Sequence, residues 1–145
     1  MDSVLAYLGI ARKAGLLETG EENCGITVRS GKAKLLLLAA DASPNAVRRA
    51  QGFVYGRKTL LLQLPLTKEQ LSQRLGRPGC SMVTLTDLGL AASLTEALAG
   101  AVPDVADYAE AAAELRRRRE RADQRRAETK AHERNKKTGK RRKTV

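Results

Sequence analysis

Cationic side chains near the C-terminus form the densest group of residues in this chain that could bind a ligand. Four consecutive arginines, Arg116 to Arg119, precede the basic stretches Lys136-Lys137 and Lys140 to Lys143. Guanidinium and ammonium groups bind phosphate oxygens, and the affinity of such contacts falls as salt rises. With about six phosphate contacts, affinity should fall ~10³-fold between roughly 50 and 200 mM salt. This density favours nucleic-acid contact over a solubility appendage or an import signal.

The net charge of the chain lies entirely in the same region. Residues 1–114 contain 12 Lys plus Arg and 12 Asp plus Glu, whereas residues 115–145 contain 15 against 4, which equals the formal charge of +11. A basic extension on a neutral body is typical of a protein with a polyanionic partner. Nucleic acid and anionic membrane both fit, but the basic segment has no amphipathic apolar face, which argues against membrane binding.

A second candidate is the sequence from Thr19 to Asn23, which reads TGEEN at the predicted start of a helix. Thr19 and Glu22 have the spacing of a capping box, and the Asn23 amide can both donate and accept hydrogen bonds. An ordinary helix start explains these residues as well as an RNA contact does. Lys32 and Lys34, beside a predicted strand, belong either to a phosphate-binding patch or to a solvated rim.

Residue types that perform catalysis or hold metals are sparse. Asp41 and Asp87 fit turns and helix caps, and no phosphate-binding loop or nucleophile–base pair is present. Cys24, Cys80 and the single histidine, His132, are too few and too far apart for a zinc site. We therefore expect no enzyme activity, no cofactor and no small-molecule substrate. Two reduced thiols are favoured, although one disulfide stays possible.

The apolar pattern predicts alternating helices and strands. Strands are predicted at Lys34–Ala40, Thr59–Leu64 and Ser81–Thr86, with helices before, between and after them. The expected fold is therefore α/β, a three-layer α/β/α sandwich with a small mixed sheet. No apolar stretch approaches the 18 residues of a membrane span, and Asp2 precedes the first apolar run where a signal peptide needs positive charge. A cytoplasmic location is expected.

The domain is expected to occupy residues 1–103 and to be followed by a basic tail at 104–145. The tail is rich in Ala, Glu and Arg, which favour helix, but no apolar stripe continues past Leu115. We expect a solvated helix there and disorder from Lys136 to Val145.

Several segments together resemble the ribosomal-protein L-seven-Ae, or kink-turn RNA-binding, family and especially its bacterial YlxQ-like members. The segments that carry the resemblance are Leu8 to Gly15, Thr19 to Asn23, Arg29 to Ser43, Leu75 to Pro78 and Val83 to Gly89. The resemblance implies a three-layer domain that binds kinked RNA helices.

The resemblance also implies where RNA would bind. Gly20 keeps its place in the family's Gly-Thr-Asn-Glu-like motif, Glu22 and Asn23 occupy the Asn-Glu pair in reversed order, and Ile26 stands where the family has Lys. Ile26 is expected in the core. The loop that packs on flipped-out bases corresponds to Arg77 through Cys80.

The sequence thus predicts a kink-turn-type RNA-binding protein that is associated with the ribosome or with structured RNA. The alternative is a protein-interaction module of the same fold, which binds RNA only non-specifically through its tail. The predicted RNA-binding residues are Gly20, Glu22, Asn23, Lys32, Lys34, Arg77, Pro78, Gly79, Arg116, Arg117, Arg118 and Arg119.

Overall fold

Six helices and four strands follow one another along residues 1–137, the part of the chain that this computed structural model describes. They are α1 (Asp2–Lys13), β1 (Leu17–Thr19), α2 (Glu21–Arg29), β2 (Leu35–Leu38), α3 (Pro44–Val54), β3 (Leu60–Gln63), α4 (Lys68–Leu75), β4 (Met82–Leu85), α5 (Leu88–Ala101) and α6 (Ala106–Lys137). Lys136 and Lys137 end α6 rather than beginning a disordered segment. The rest of the predicted disorder, and the basic stretch Lys140 to Lys143, lie outside the described residues.

The sheet is mixed, with strand order β1-β4-β2-β3. β2 and β3 are parallel because α3 connects them as a crossover, whereas β4 runs antiparallel to both β2 and β1. The mixed sheet predicted from the sequence is confirmed. β1 was not predicted, because its three residues contain a single apolar side chain, Leu17.

The four consecutive leucines of β2 hold the layers of the fold together. Leu35 and Leu37 pack with α1, α4, α5 and α6 on one face, and Leu36 and Leu38 pack with α2 and α3 on the other. All four side chains are buried, since alternate residues of a strand point to opposite faces. This arrangement confirms the three-layer α/β/α sandwich.

Side-chain caps set the starts of three helices where the sequence predicted them. Ser43 Oγ accepts from the Ala46 amide at 3.1 Å, and Asp87 Oδ2 accepts from the Leu90 amide at 2.8 Å. Thr67 and Gln70 form a reciprocal capping box at α4. Each cap satisfies amides that the first helical turn leaves without a backbone partner.

The capping box predicted at Thr19 and Glu22 is wrong. Thr19 is paired with Val83 in the sheet, which holds it in β1, and the N-cap of α2 is Gly20. Gly20 has φ 90°, a conformation that residues with a Cβ rarely adopt. The chain therefore turns from β1 into α2 by glycine geometry rather than by a side-chain cap.

Gly25 lies inside α2 and is buried against α3. A Cβ added there would stand 2.8 Å from the Phe53 ring, so the glycine lets the two helices approach closely. The Arg29 guanidinium covers the same ring at 5.8 Å from its centroid. Gly25 lowers the helix propensity of α2, but it allows α2 to pack closely on α3.

The buried core extends beyond Pro103 into the first turns of α6. Tyr108, Ala111, Ala112 and Leu115 are buried, and the Tyr108 hydroxyl donates to the Gln63 carbonyl at the end of β3. Their spacing places them on one face of a helix, which covers α5 and β3. The division into 1–103 and 104–145 stays a prediction, but the first ten residues of α6 contribute to the core.

Candidate nucleic-acid interface

The start of α2 and the loop before β4 lie side by side at one end of the sheet. The Gly20 amide donates to the Met82 carbonyl at 3.1 Å, which joins the N-cap of α2 to the first residue of β4. Gly20 to Asn23 therefore lie at the end of the sheet where the loop Arg77 to Gly79 leads into β4, although more than 50 residues separate the two segments in the sequence. We call this surface the α2 end.

Charge at the α2 end is mixed rather than simply acidic. Glu21 Oε2 accepts from Arg49 Nη1 of α3 at 2.8 Å, which offsets one of the two carboxylates at the helix start. Glu22 and Asn23 are exposed. The Asn23 amide Nδ2 donates to the Thr19 carbonyl at 3.3 Å, which turns the side chain toward the end of β1.

Ile26 follows one turn later on α2 and is 53% exposed, so the expectation that it lies in the core is wrong. Cys24, Gly25 and Val28 supply the buried face of α2 instead. The α2 end therefore carries an apolar side chain in the place where the family resemblance implies a lysine.

The loop from Arg77 to Cys80 is anchored at both ends and exposed between them. The Arg77 amide donates to the Ser72 carbonyl at 3.2 Å, and the Cys80 amide donates to Ser72 Oγ at 3.3 Å. Arg77, Pro78 and Gly79 are all exposed. This anchoring leaves the apolar Pro78 and the cationic Arg77 exposed in the loop that leads into β4.

Cys24 lies beneath the α2 end as a buried, free thiol. Burial raises the pKa of the Cys24 thiol to about 12, so it stays protonated at neutral pH. Cys80 is also free and buried. The reduced state predicted for both cysteines agrees with this structure, and Cys24 packs as a small apolar residue rather than as a nucleophile.

Lys32 and Lys34 lie at the opposite end of the sheet from Gly20. The Lys34 amide donates to the Leu85 carbonyl at 2.8 Å and its own carbonyl accepts from Leu60, so Lys34 stands where β2 and β3 begin and β4 ends. Lys32 and Lys34 therefore lie on a second surface, apart from the α2 end. We call the second one the cleft end.

A cleft of about 790 Å³ opens at the cleft end, between the starts of β2 and β3 and the exposed part of α6. Its lining includes six cationic side chains and one carboxylate, that of Glu114. The cationic residues are Lys34, Arg57, Lys58, Arg118, Arg121 and Arg125. Sequence reasoning missed Arg57, Lys58, Arg121 and Arg125.

The four consecutive arginines do not form one surface, because successive residues of a helix point about 100° apart. Arg116 pairs with Glu96 of α5 at 2.9 Å, and Arg117 contacts Glu114 at 3.3 Å. Arg118 faces the cleft, while the Arg119 guanidinium lies near Gly89 at the start of α5. The spacing of Arg118, Arg121 and Arg125, three and four residues apart, could have indicated that these side chains share one face of the helix.

Within residues 1–137, no cluster of three or more His, Cys, Asp or Glu side chains is arranged to hold a metal ion. The helices of this described region include none with the length and apolar character that crossing a membrane requires.

The chain resembles a known RNA-binding protein in sequence. No family model matches the chain. The RNA-binding protein YlxQ of Enterococcus faecium is 29% identical over 97 residues, which cover 64% of this chain and 88% of that protein. This similarity agrees with the resemblance to the L-seven-Ae family that the sequence segments carry.

Solved structures share the fold of this chain. A protein of unknown function from Bacillus halodurans has a TM-score of 0.61 and 22% identity, over 66% of this chain and 96% of that one. The 15.5 kD RNA-binding protein of Giardia lamblia has a TM-score of 0.55 and 18% identity, over 65% and 80% of the two chains.

Proposed function

We propose that this L-seven-Ae-like chain is a non-enzymatic RNA-binding protein that recognises kink-turn-like RNA through the α2 end. The observation that carries the proposal is the contact between the N-cap of α2 and the first residue of β4, Gly20 N to Met82 O at 3.1 Å. This contact supports the proposal, because it brings the start of α2 to the end of the sheet at which the loop Arg77–Gly79 leads into β4. Ribosomal or other structured RNA in the cytoplasm is the proposed partner.

The α2 end offers the chemistry that a kinked RNA helix requires. The first amides of a helix lack backbone partners and attract anions, so the start of α2 suits a phosphate. Asn23 and Glu22 supply hydrogen-bond acceptors for the edges of bases, and Arg77 supplies donors for phosphate oxygens. Because Arg49 offsets the charge of Glu21, the repulsion of RNA at this surface is reduced.

The exposed part of α6 would supply affinity that does not depend on sequence. Residues 116–137 extend about 33 Å as a helix beyond the last buried position, Leu115. This part of the chain holds 11 Lys plus Arg and 4 Asp plus Glu. Its cations would neutralise phosphates of an RNA held at the body of the protein.

A matched pair of variants tests the α2 end. Asn23→Ala removes an exposed amide at the proposed site, and Asn45→Ala removes another exposed amide on α3. Asn23→Ala should lower affinity for a kink-turn RNA about tenfold, relative to a duplex of equal length, because one or two hydrogen bonds to the RNA are lost. Fluorescence anisotropy at physiological salt measures both affinities. Equal effects of the two variants would count against the proposal.

One observation favours the alternative of a protein-interaction module. The 53% exposed Ile26 gives the α2 end an apolar contact in place of a cation. An interface of this kind would bind RNA without preference for kinks. A wild-type chain that binds kinked and straight RNA equally, with Asn23→Ala unchanged, would support this alternative.

A further inference from the structure

We propose that the cleft at the cleft end is a second RNA site, which grips the phosphate backbone of a duplex segment separate from the kinked one. The protein would then bridge two RNA segments. This inference rests on the proposed function, because it assumes that RNA is the partner.

The charge balance of the cleft favours a polyanion. Six cationic side chains face one carboxylate in its lining, a net charge of +5. Glu114 is shared among three arginines, at 3.3 Å from Arg117, 3.1 Å from Arg118 and 3.7 Å from Arg121. Hydrogen bonds from Arg117 and Arg118 lower the pKa of Glu114, so this carboxylate stays ionised and offsets one of the six positive charges of the cleft.

Two arginines of the cleft are held in place before any ligand binds. Arg118 Nη1 donates to the Lys58 carbonyl at 2.8 Å, and its exposed fraction is only 24%. Arg57 Nη1 donates to the carbonyls of Val28 and Arg29, each at 3.3 Å. A guanidinium has five N–H donors, so these bonds orient the group and leave donors for phosphate oxygens. Such pre-organisation lowers the entropy lost on binding.

The three arginines of α6 that line the cleft follow one helix face. Arg118, Arg121 and Arg125 are three and four residues apart, so they form a row about 10 Å long. Duplex nucleic acid presents closely spaced phosphates, and a row of guanidiniums can contact several of them with bidentate geometry.

The cleft lacks the features of a protein-binding site. Stable protein interfaces are centred on exposed apolar or aromatic anchors. The exposed large apolar side chains of the described residues are Met1, Ile10, Ile26, Tyr55 and Val105. None of these lines the cleft. An acidic protein partner would therefore depend on charge alone.

The two sites lie at opposite ends of the sheet. Gly20 contacts Met82 at the start of β4, whereas Lys34 contacts Leu85 at its end. The length of β4, about 10 Å, separates these two contacts, and α6 adds an exposed surface to the second site alone. RNA bound at the α2 end would thus occupy the opposite end of the sheet from the cleft.

The test removes two cleft cations from the full chain. Arg121→Gln with Arg125→Gln changes two exposed side chains, and the control changes Lys13→Gln with Arg48→Gln, which are also exposed, remove the same charge and lie outside both α6 and the cleft lining. The cleft variant should bind a straight RNA duplex about tenfold more weakly at physiological salt. Its log-affinity against log-salt slope should fall by about 2, since two phosphate contacts are lost. The control should change affinity less than threefold.

A ternary-complex experiment tests bridging. The wild-type chain, saturated with a short kink-turn RNA, should still bind a labelled straight duplex in sedimentation velocity, and the cleft variant should not. Competition between the two RNAs, or equal loss in the control variant, would overturn the second site while leaving the proposed function intact. Displacement of the duplex by polyglutamate of equal charge would overturn RNA as the ligand of the cleft. If the wild type bound neither RNA, both proposals would fail.

Discussion

The α2 end and the cleft end of this protein are built in different ways. The α2 end is formed by two short loops that the sheet holds together, and its charges are mixed, with Glu21 paired to Arg49. The cleft end combines the starts of β2 and β3 with one face of α6, and its charge is strongly positive. A shape-reading surface needs precise backbone placement, whereas a phosphate-gripping surface needs many cations. The two ends should therefore differ in sequence preference and in salt dependence.

Removal of the C-terminal segment should have the largest effect on RNA affinity, and it should distinguish the two ends. Removing residues 116–145 deletes 15 basic and 4 acidic residues, so the net charge falls from +11 to zero. We expect affinity for straight RNA to drop by about 10²–10³-fold at physiological salt. Preference for kinked over straight RNA should persist, because the α2 end stays intact. Anisotropy titrations at several salt concentrations measure both quantities.

A longer truncation is the control for folding. Removing residues 104–145 also deletes Tyr108, Ala111 and Leu115, whose burial closes the core over α5 and β3. This variant should melt far below the first one in circular dichroism. If both truncated chains melted alike, the contribution of α6 to the core would be contradicted. Loss of kink preference in the shorter truncation would favour the protein-interaction alternative.

Substitution at Gly25 should weaken the packing of α2 on α3. Gly25→Ala places a Cβ against the Phe53 ring, and overpacking of about 1–3 kcal/mol outweighs the helix-propensity gain of about 1 kcal/mol. We expect the free energy of unfolding to fall by about 1 kcal/mol, as measured by urea denaturation.

Gly52→Ala on the neighbouring helix is the matched control, because a Cβ at Gly52 meets nothing within 4 Å. It should be neutral or stabilising by up to about 1 kcal/mol. A stabilised Gly25→Ala variant would show that Phe53 moves aside at little cost. In that case Gly25 would not determine how closely α2 and α3 pack.

The effect that is smallest at neutral pH, where it vanishes, concerns the thiol beneath the α2 end. Because the pKa of Cys24 rises from 9.0 to about 12 on folding, the unfolded chain loses this proton at lower pH. The contribution of the Cys24 thiol to the free energy of unfolding is therefore complete below pH 9. It should decline between pH 9 and 12, by up to about 1.4 kcal/mol per pH unit. Urea denaturation of wild type and Cys24→Ala across this range isolates the contribution from other titrating groups. Parallel curves would contradict it.

Much of the fold could be predicted because its signals are local. Ser43, Thr67 and Asp87 cap helices through side chains that bond to amides three residues later, so sequence spacing alone reveals them. β1 and the Gly20 turn could not be predicted in this way. A three-residue strand owes its existence to pairing with β4, which lies more than 60 residues later.

The candidate site was only partly predictable for the same reason. Ile26 was assigned to the core because it is apolar, yet the orientation of α2 over the sheet leaves it exposed. The run Arg116 to Arg119 suggested one binding surface, but helical geometry turns the four side chains in different directions. Arg57 and Lys58 gave no signal at all, since only the approach of α6 makes them part of a cleft.

Composition and local pattern determined the alternation of helices and strands, the buried leucines of β2 and the concentration of positive charge in the C-terminal segment. These properties depend on side-chain type and on neighbours a few residues away. Tertiary structure alone decided that Gly20 is bonded to the first residue of β4, and that Arg118, Arg121 and Arg125 of α6 line one cleft with Lys34 at the start of β2. Both results arise from contacts between distant segments, because the burial of apolar faces sets how the layers meet.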